Sequence, residues 1–150
     1  MQIRDYQHSD LNTIINIYNL SKLDELRFEQ NTISLLPLTQ DQQRFASLKQ
    51  STIFVYETDK VVAYGAHQGS VISALFVHPD ARGKGFGKQL LEHLLNNIND
   101  TTCLYVAKSN WPAKALYQDY GFIVSDTFQT SYNGVAVIAN EMLRSVKPHA

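Results

Sequence analysis

Residues 71–107 join two strand-like segments through a long amphipathic helix, and this connection limits the fold more than any other feature. "VISALFV" (71–77) and "TTCLYVA" (101–107) are short runs rich in β-branched and apolar residues. Between them Phe86, Leu90, Leu91, Leu94, Leu95 and Ile98 recur at helical spacing, while Lys88, Gln89, Glu92, His93, Asn96 and Asn97 fill the opposite face. Neighbouring strands joined by a crossover helix run parallel. The upstream segments "TIFVYE" (52–57) and "VVAYGAH" (61–67) are separated from each other and from 71–77 only by Thr58-Asp59-Lys60 and Gln68-Gly69-Ser70. Turns that short imply an antiparallel meander. Downstream, Asn133-Gly134 between "FIVSDTFQTSY" and "VAVIANEML" signals a hairpin.

The remaining segments complete a mixed α/β chain. "QIRDY" (2–6) reads as a strand, and Ser9 or Asp10 caps a helix with Leu11, Ile14, Ile15, Tyr18 and Leu20 on its apolar stripe. Residues 22–36 read as a second helix, with a restart after Pro37 near Thr39–Asp41 that runs to about residue 49. Ser109-Asn110 precede a shorter helix that holds Pro112 and stops near Tyr120 and Gly121. At about 100° per residue, Pro112, Ala115, Leu116 and Tyr120 form its core stripe, and Asn110, Ala113 and Tyr117 an adjacent face. The expected fold is α/β, one domain over 1–150, with a mostly antiparallel mixed sheet and helices on both faces.

Composition removes several classes. The formal net charge is −1, which gives no global electrostatic case for nucleic acid or an anionic membrane. The single cysteine, Cys103, forms no internal disulfide framework and reads as a small buried hydrophobe. No paired Cys/His spacing suggests zinc, so no metal is expected. The N-terminus lacks a signal-peptide core, and the longest apolar runs are too short to span a bilayer. The expectation is a cytoplasmic protein, monomer or homodimer.

The helix at 86–98 opens on glycines. "RGKGFG" (82–87) places three of them within five positions, flanked by Arg82, Lys84 and Lys88. Glycine is costly near a helix, so bare backbone is needed there for another reason. A helix N-terminus presents unpaired amides and a positive dipole end, and residues without a β-carbon let an anion approach closely. The arrangement is a phosphate or pyrophosphate cradle. It is not a P-loop, because Gln89 stands where Ser or Thr would hold magnesium and Arg82 takes the first glycine position. Nor is it the dinucleotide fingerprint, because Gly83 and Gly85 are followed by Gly87 rather than by a glycine at 88.

"RGKGFG" does fit [RQ]-x-x-G-x-[GA], between a strand ending "ALFVHP" and an amphipathic helix. Together with the element order and the later "SNWPAKALYQDYGF", the chain resembles the GNAT superfamily of N-acetyltransferases over nearly its whole length. The resemblance implies that backbone amides of Gly83, Lys84, Gly85, Phe86, Gly87 and Lys88 hold the pyrophosphate of acetyl-CoA, with charge from Arg82. It implies that strand 71–77 splays from 101–107, so that the pantetheine arm pairs with backbone around Leu75, Phe76 and Val77. The amide near Val77 then faces the thioester oxygen. Asn110 and Ala113 border the same arm, Asn110 having the competing plain role of helix N-cap. Tyr117 protonates the departing thiolate as general acid.

The implied reaction is direct attack by a primary amine on the thioester in a ternary complex, with no metal and no covalent enzyme intermediate. The alternative is a non-catalytic acyl-CoA-binding or sensing module of the same fold. The base stays open, because 71–77 contains no acid. His67, His78 and the acids Asp24, Glu25 and Glu29 are the candidates, each with a plain structural alternative. The acceptor is equally open between a small-molecule amine and a protein amine.

Overall fold

The structure is a computed structural model that describes residues 2–146. Its strands are β1 (Gln2–Asp5), β2 (Thr52–Glu57), β3 (Val61–Gln68), β4 (Val71–Val77), β5 (Thr102–Ala107), β6 (Ile123–Tyr132) and β7 (Val135–Arg144). Its α-helices are α1 (Leu11–Ser21), α2 (Gln42–Gln50), α3 (Phe86–Asn96) and α4 (Trp111–Asp119). The strands form one seven-stranded sheet in the order β1-β2-β3-β4-β5-β7-β6. Every neighbouring pair is antiparallel except β4 and β5, the two strands joined through α3. The expected meander, parallel crossover and Asn133-Gly134 hairpin are all present.

The pleat sorts the core into two layers. Along β2, Phe54 and Tyr56 join the cluster under α3 and α4, while Ile53 and Val55 join the cluster under α1 and α2. The α3 stripe behaves as its spacing predicts: Phe86, Leu90, Leu91, Leu94, Leu95 and Ile98 are all buried. Gly65 on β3 lets α3 sit close, since a β-carbon there would lie 3.0 Å from Leu94 Cδ1.

Five local readings of the sequence are corrected. Residues 22–36 are not a helix: only Lys22–Leu26 form a 3-10 turn. Asn31, Thr32, Ile33 and Ser34 are weak helix formers, and Pro37 disfavours a helical Leu36. Tertiary bonds hold the segment instead. Leu36 N donates to Tyr132 Oη at 2.9 Å, and Leu38 N donates to Asn19 Oδ1 at 3.0 Å. In α1 the inward residues are Ile14, Ile17 and Tyr18, and Leu20 is 50% exposed. Asp10 makes no side-chain cap on α1. Its carboxylate accepts from Gln7 N at 2.8 Å and pairs with Arg4 at 2.9 Å, closing the preceding 3-10 turn.

In α4 the packed face is Ala113, Leu116, Tyr117 and Tyr120, and Ala115 is exposed. Small residues carry little phase information, and Pro112 sits in the first turn because its missing N–H is harmless there. Cys103 is half-buried rather than buried.

Candidate active site

The crossover creates the site. β4 and β5 pair only at Val71 and Cys103, where Cys103 N donates to Ser70 O at 2.9 Å, and they diverge beyond that point. The wedge is a cavity of about 160 Å³ walled by Ile72–Phe76 of β4, Leu104 and Tyr105 of β5, and Tyr117 of α4. The free edge of β4 alternates. His78 N donates to Val62 O at 2.8 Å, and Phe76 lies opposite Tyr64 in the β3 register. Phe76 therefore directs its N–H and C=O to β3, while Leu75 and Val77 direct theirs away from β3, toward the β5 side. Of the expected trio, Phe76 is the one whose backbone is engaged elsewhere. The Val77 carbonyl accepts from Ser21 Oγ at 3.2 Å, so the Val77 amide is the group left facing the opening.

The glycine turn lies past the end of β4. Gly83 and Gly85 adopt φ of 77° and 84°, a region costly for residues with a β-carbon, and a β-carbon on either would meet nothing within 4 Å. The space above this backbone is open. Gly85 is the N-cap of α3 and offers no side-chain cap; the first bond into the helix runs from Gln89 N to Gly85 O at 3.1 Å. The amides of Phe86, Gly87 and Lys88 thus have no intrahelical acceptor. Lys84 and Lys88 are exposed beside them. The Phe86 ring is buried against Tyr56, with centroids 4.3 Å apart, so this residue can offer only its amide. Arg82 is ion-paired with Asp24. These features fit a bound diphosphate.

Tyr117 is held on the wedge wall by its edge contact with Phe122, with ring centroids 5.8 Å apart. Burial, and secondarily the Glu25 carboxylate, push its hydroxyl well above the ordinary phenol range. Asn110 is buried at the start of α4, yet its side chain makes no capping bond. Neither Asn110 nor Ala113 lines the wedge cavity.

The base candidates separate cleanly. His67 Nδ1 lies 2.9 Å from Gly69 O in a turn, and His78 Nδ1 accepts from Asp80 N at 3.0 Å. Asp24 is paired with Arg82, and the Glu29 carboxylate accepts from Ser109 Oγ. Glu25 is itself paired with Lys22 at 2.8 Å, and it alone among them lines the wedge. It also lines a second, wider cavity of about 600 Å³ bounded by Tyr105, Asp126, Phe128, Tyr132 and Glu141. Lys22, Glu25, Arg44 and Tyr105 border both cavities and mark where they meet.

The sequence reading missed Lys22, Arg44, Asp126 and Glu141 as site residues, and it left the aromatic residues of 18–56, Tyr18 among them, open between acceptor pocket and core. No local pattern marks them, because α1, α2, β5 and the β6–β7 hairpin converge only through the sheet order. Among the described residues no helix is long and apolar enough to cross a membrane.

A family model described as an acetyltransferase (GNAT) domain matches residues 23–143. Among curated proteins, a peptidyl-lysine N-acetyltransferase, YjaB, from Salmonella typhimurium is 36% identical over 73 residues, 49% of this chain and 50% of that protein. The chain spans about half the length of the curated relatives it matches. Among solved structures, a GCN5-related N-acetyltransferase from Rhodopseudomonas palustris superposes with a TM-score of 0.78 at 18% identity, covering 97% of this chain and 95% of that one. The acetyltransferase yncA from Salmonella typhimurium, solved with acetyl-CoA, superposes with a TM-score of 0.70 at 20% identity, covering 100% and 96%. At these identities the two structures speak to the fold.

Proposed function

The chain belongs to the GNAT acetyltransferase family, and from that premise we propose that it is an acetyl-CoA-dependent N-acetyltransferase acting on a primary amine. The observation that carries this reading is the divergence of β4 from β5 beyond Val71 and Cys103, with Tyr117 on the wall of the wedge. Acetyl-CoA, when bound, supplies the activated acyl thioester.

The chain's residues then divide the work. Amides of residues 83–88, with Lys84, Lys88 and Arg82, hold the diphosphate. The free β4 edge at Leu75 and Val77 takes up the amide-bearing arm. The Val77 amide provides the donor for charge developing on the thioester oxygen. Tyr117 keeps its proton through neutral pH and delivers it to the departing sulfur. Glu25 receives the proton that the acceptor ammonium must lose before it attacks. The wider cavity admits the acceptor, so both substrates meet at Glu25 and Tyr105 and alignment contributes much of the rate.

The test is a panel of primary amines assayed with acetyl-CoA by free-thiol release. Amine-dependent release is expected from at least one class of acceptor. Release that no amine accelerates would contradict the reading.

A further inference from the structure

Three hydrogen-bond donors line the wedge, two of them, Lys22 and Arg44, where it meets the wider cavity, and none is needed to bind a simple amine. Tyr18 Oη is buried, with the residue 4% exposed, and has no hydrogen-bond partner. A buried hydroxyl in that state is costly and calls for an acceptor. Arg44 Nη1 donates to Asp41 Oδ2 at 2.8 Å, and the guanidinium lies 5.2 Å above the centre of the Tyr132 ring. Its other nitrogens have no partner among the described residues. Lys22 Nζ lies 2.8 Å from Glu25 Oε2, and its side chain is only 12% exposed. All three side chains line the wedge.

The opposite wall has the opposite sign. Asp126 and Glu141 face each other across the β6–β7 pair, and neither has an ion-pair partner among the described residues. Like charges placed directly opposite are unfavourable unless something offsets them. The acceptor space is therefore bipolar. An alkylammonium alone would leave the free guanidinium nitrogens of Arg44 and the Tyr18 hydroxyl without an acceptor. An amine that carries its own carboxylate meets both ends.

We propose that the acceptor is a free amino-acid-type zwitterion, its carboxylate held by Arg44, Lys22 and Tyr18 Oη and its ammonium turned toward Glu25. The proposal rests on the N-acetyltransferase reading and names its acceptor class. Arg44 suits the role because a planar guanidinium matches a carboxylate through two parallel bonds.

The experiment compares matched acceptors with acetyl-CoA by initial rates of thiol release: free amino acids, their carboxamides, the corresponding decarboxylated amines, and a lysine peptide with blocked termini. The free acids should exceed their carboxamides in kcat/KM by about 10- to 100-fold, the range for a hydrogen bond to a charged group. Tyr18→Phe and Arg44→Gln should each lower that acid-to-amide ratio by about 10-fold or more. Tyr18→Phe removes one oxygen and keeps the ring, so the ratio can be read even if Arg44→Gln folds poorly. Carboxamides or the blocked peptide acetylated as well as the acids, or ratios unmoved in Tyr18→Phe, would overturn the zwitterion and leave the acetyltransferase standing. No amine-dependent release from any acceptor would overturn both.

Discussion

The guanidinium of Arg82, at the head of the glycine turn, is ion-paired with the carboxylate of Asp24 in the 3-10 turn after α1. The side chains are each 43% exposed, so the pair contributes about 0–1 kcal/mol. It occupies a cation that the proposed function assigns to the diphosphate.

Asp24→Asn should therefore tighten coenzyme A binding, by up to about 5-fold if the full ion pair is the competitor. Arg82→Gln should weaken it, and the difference between the variants should shrink at high salt. Calorimetric titration at two salt concentrations reads both effects. Equal affinities for the wild type and Asp24→Asn, with Arg82→Gln unchanged, would remove Arg82 from the cradle.

Tyr117→Phe should lower kcat by about 10²- to 10⁴-fold while coenzyme A affinity stays close to the wild type. This result also separates an enzyme from a protein that only binds the acyl carrier. Because burial holds the Tyr117 proton above the ordinary phenol range, the hydroxyl stays protonated as pH rises through 7 to about 10. A pH–rate profile that loses activity below pH 9 through a group absent from Tyr117→Phe would contradict the assignment.

Gly85→Glu should abolish detectable coenzyme A binding. The substitution places bulk and negative charge over open amides and forces a non-glycine residue to φ near 84°, at about 1–2 kcal/mol of strain. Loss of binding with a cooperative melt retained is the expected pair of observations. Retained affinity would place the cofactor elsewhere.

Asp10 offers a test of the fold apart from the site. Hydrogen bonds from Arg4 hold its carboxyl below the usual carboxylate range, against the opposing effect of burial. A depressed folded-state pKa contributes stability that is fully present above the unfolded value of about 3.9 and is lost as pH falls through the lower folded value. Asp10→Asn should cost about 1–3 kcal/mol at pH 7, and the gap to wild type should close in strong acid. Urea titrations at pH 7 and below pH 3 check this, and a gap independent of pH would refute it.

Much of the architecture was legible because long elements carry strong periods. The α3 stripe repeats six apolar residues without a miss, and the meander turns are too short for anything but antiparallel pairing. Legibility failed where tertiary bonds override local preference. Residues 27–37 form turns and irregular backbone rather than helix, and Tyr132 and Asn19, distant in sequence, capture the backbone at Leu36 and Leu38. The phase of α4 misled because alanines and a first-turn proline look like core. For the proposed site, motif and spacing point to the glycine turn and Tyr117 as candidates. Glu25 could be named only as one of several acids, and Tyr18, Lys22 and Arg44 gave no local sign of acting together. Their meeting depends on how α1 and α2 cross the sheet.

The account rests on main-chain nitrogens of residues 83–88 gripping the diphosphate, and an amide chemical-shift titration with coenzyme A measures that most directly. The amides of Gly83 to Lys88 should shift most, with Leu75 and Val77 on the free β4 edge next and Phe76 much less. A largest response elsewhere on the chain, or none at saturating coenzyme A, would contradict it.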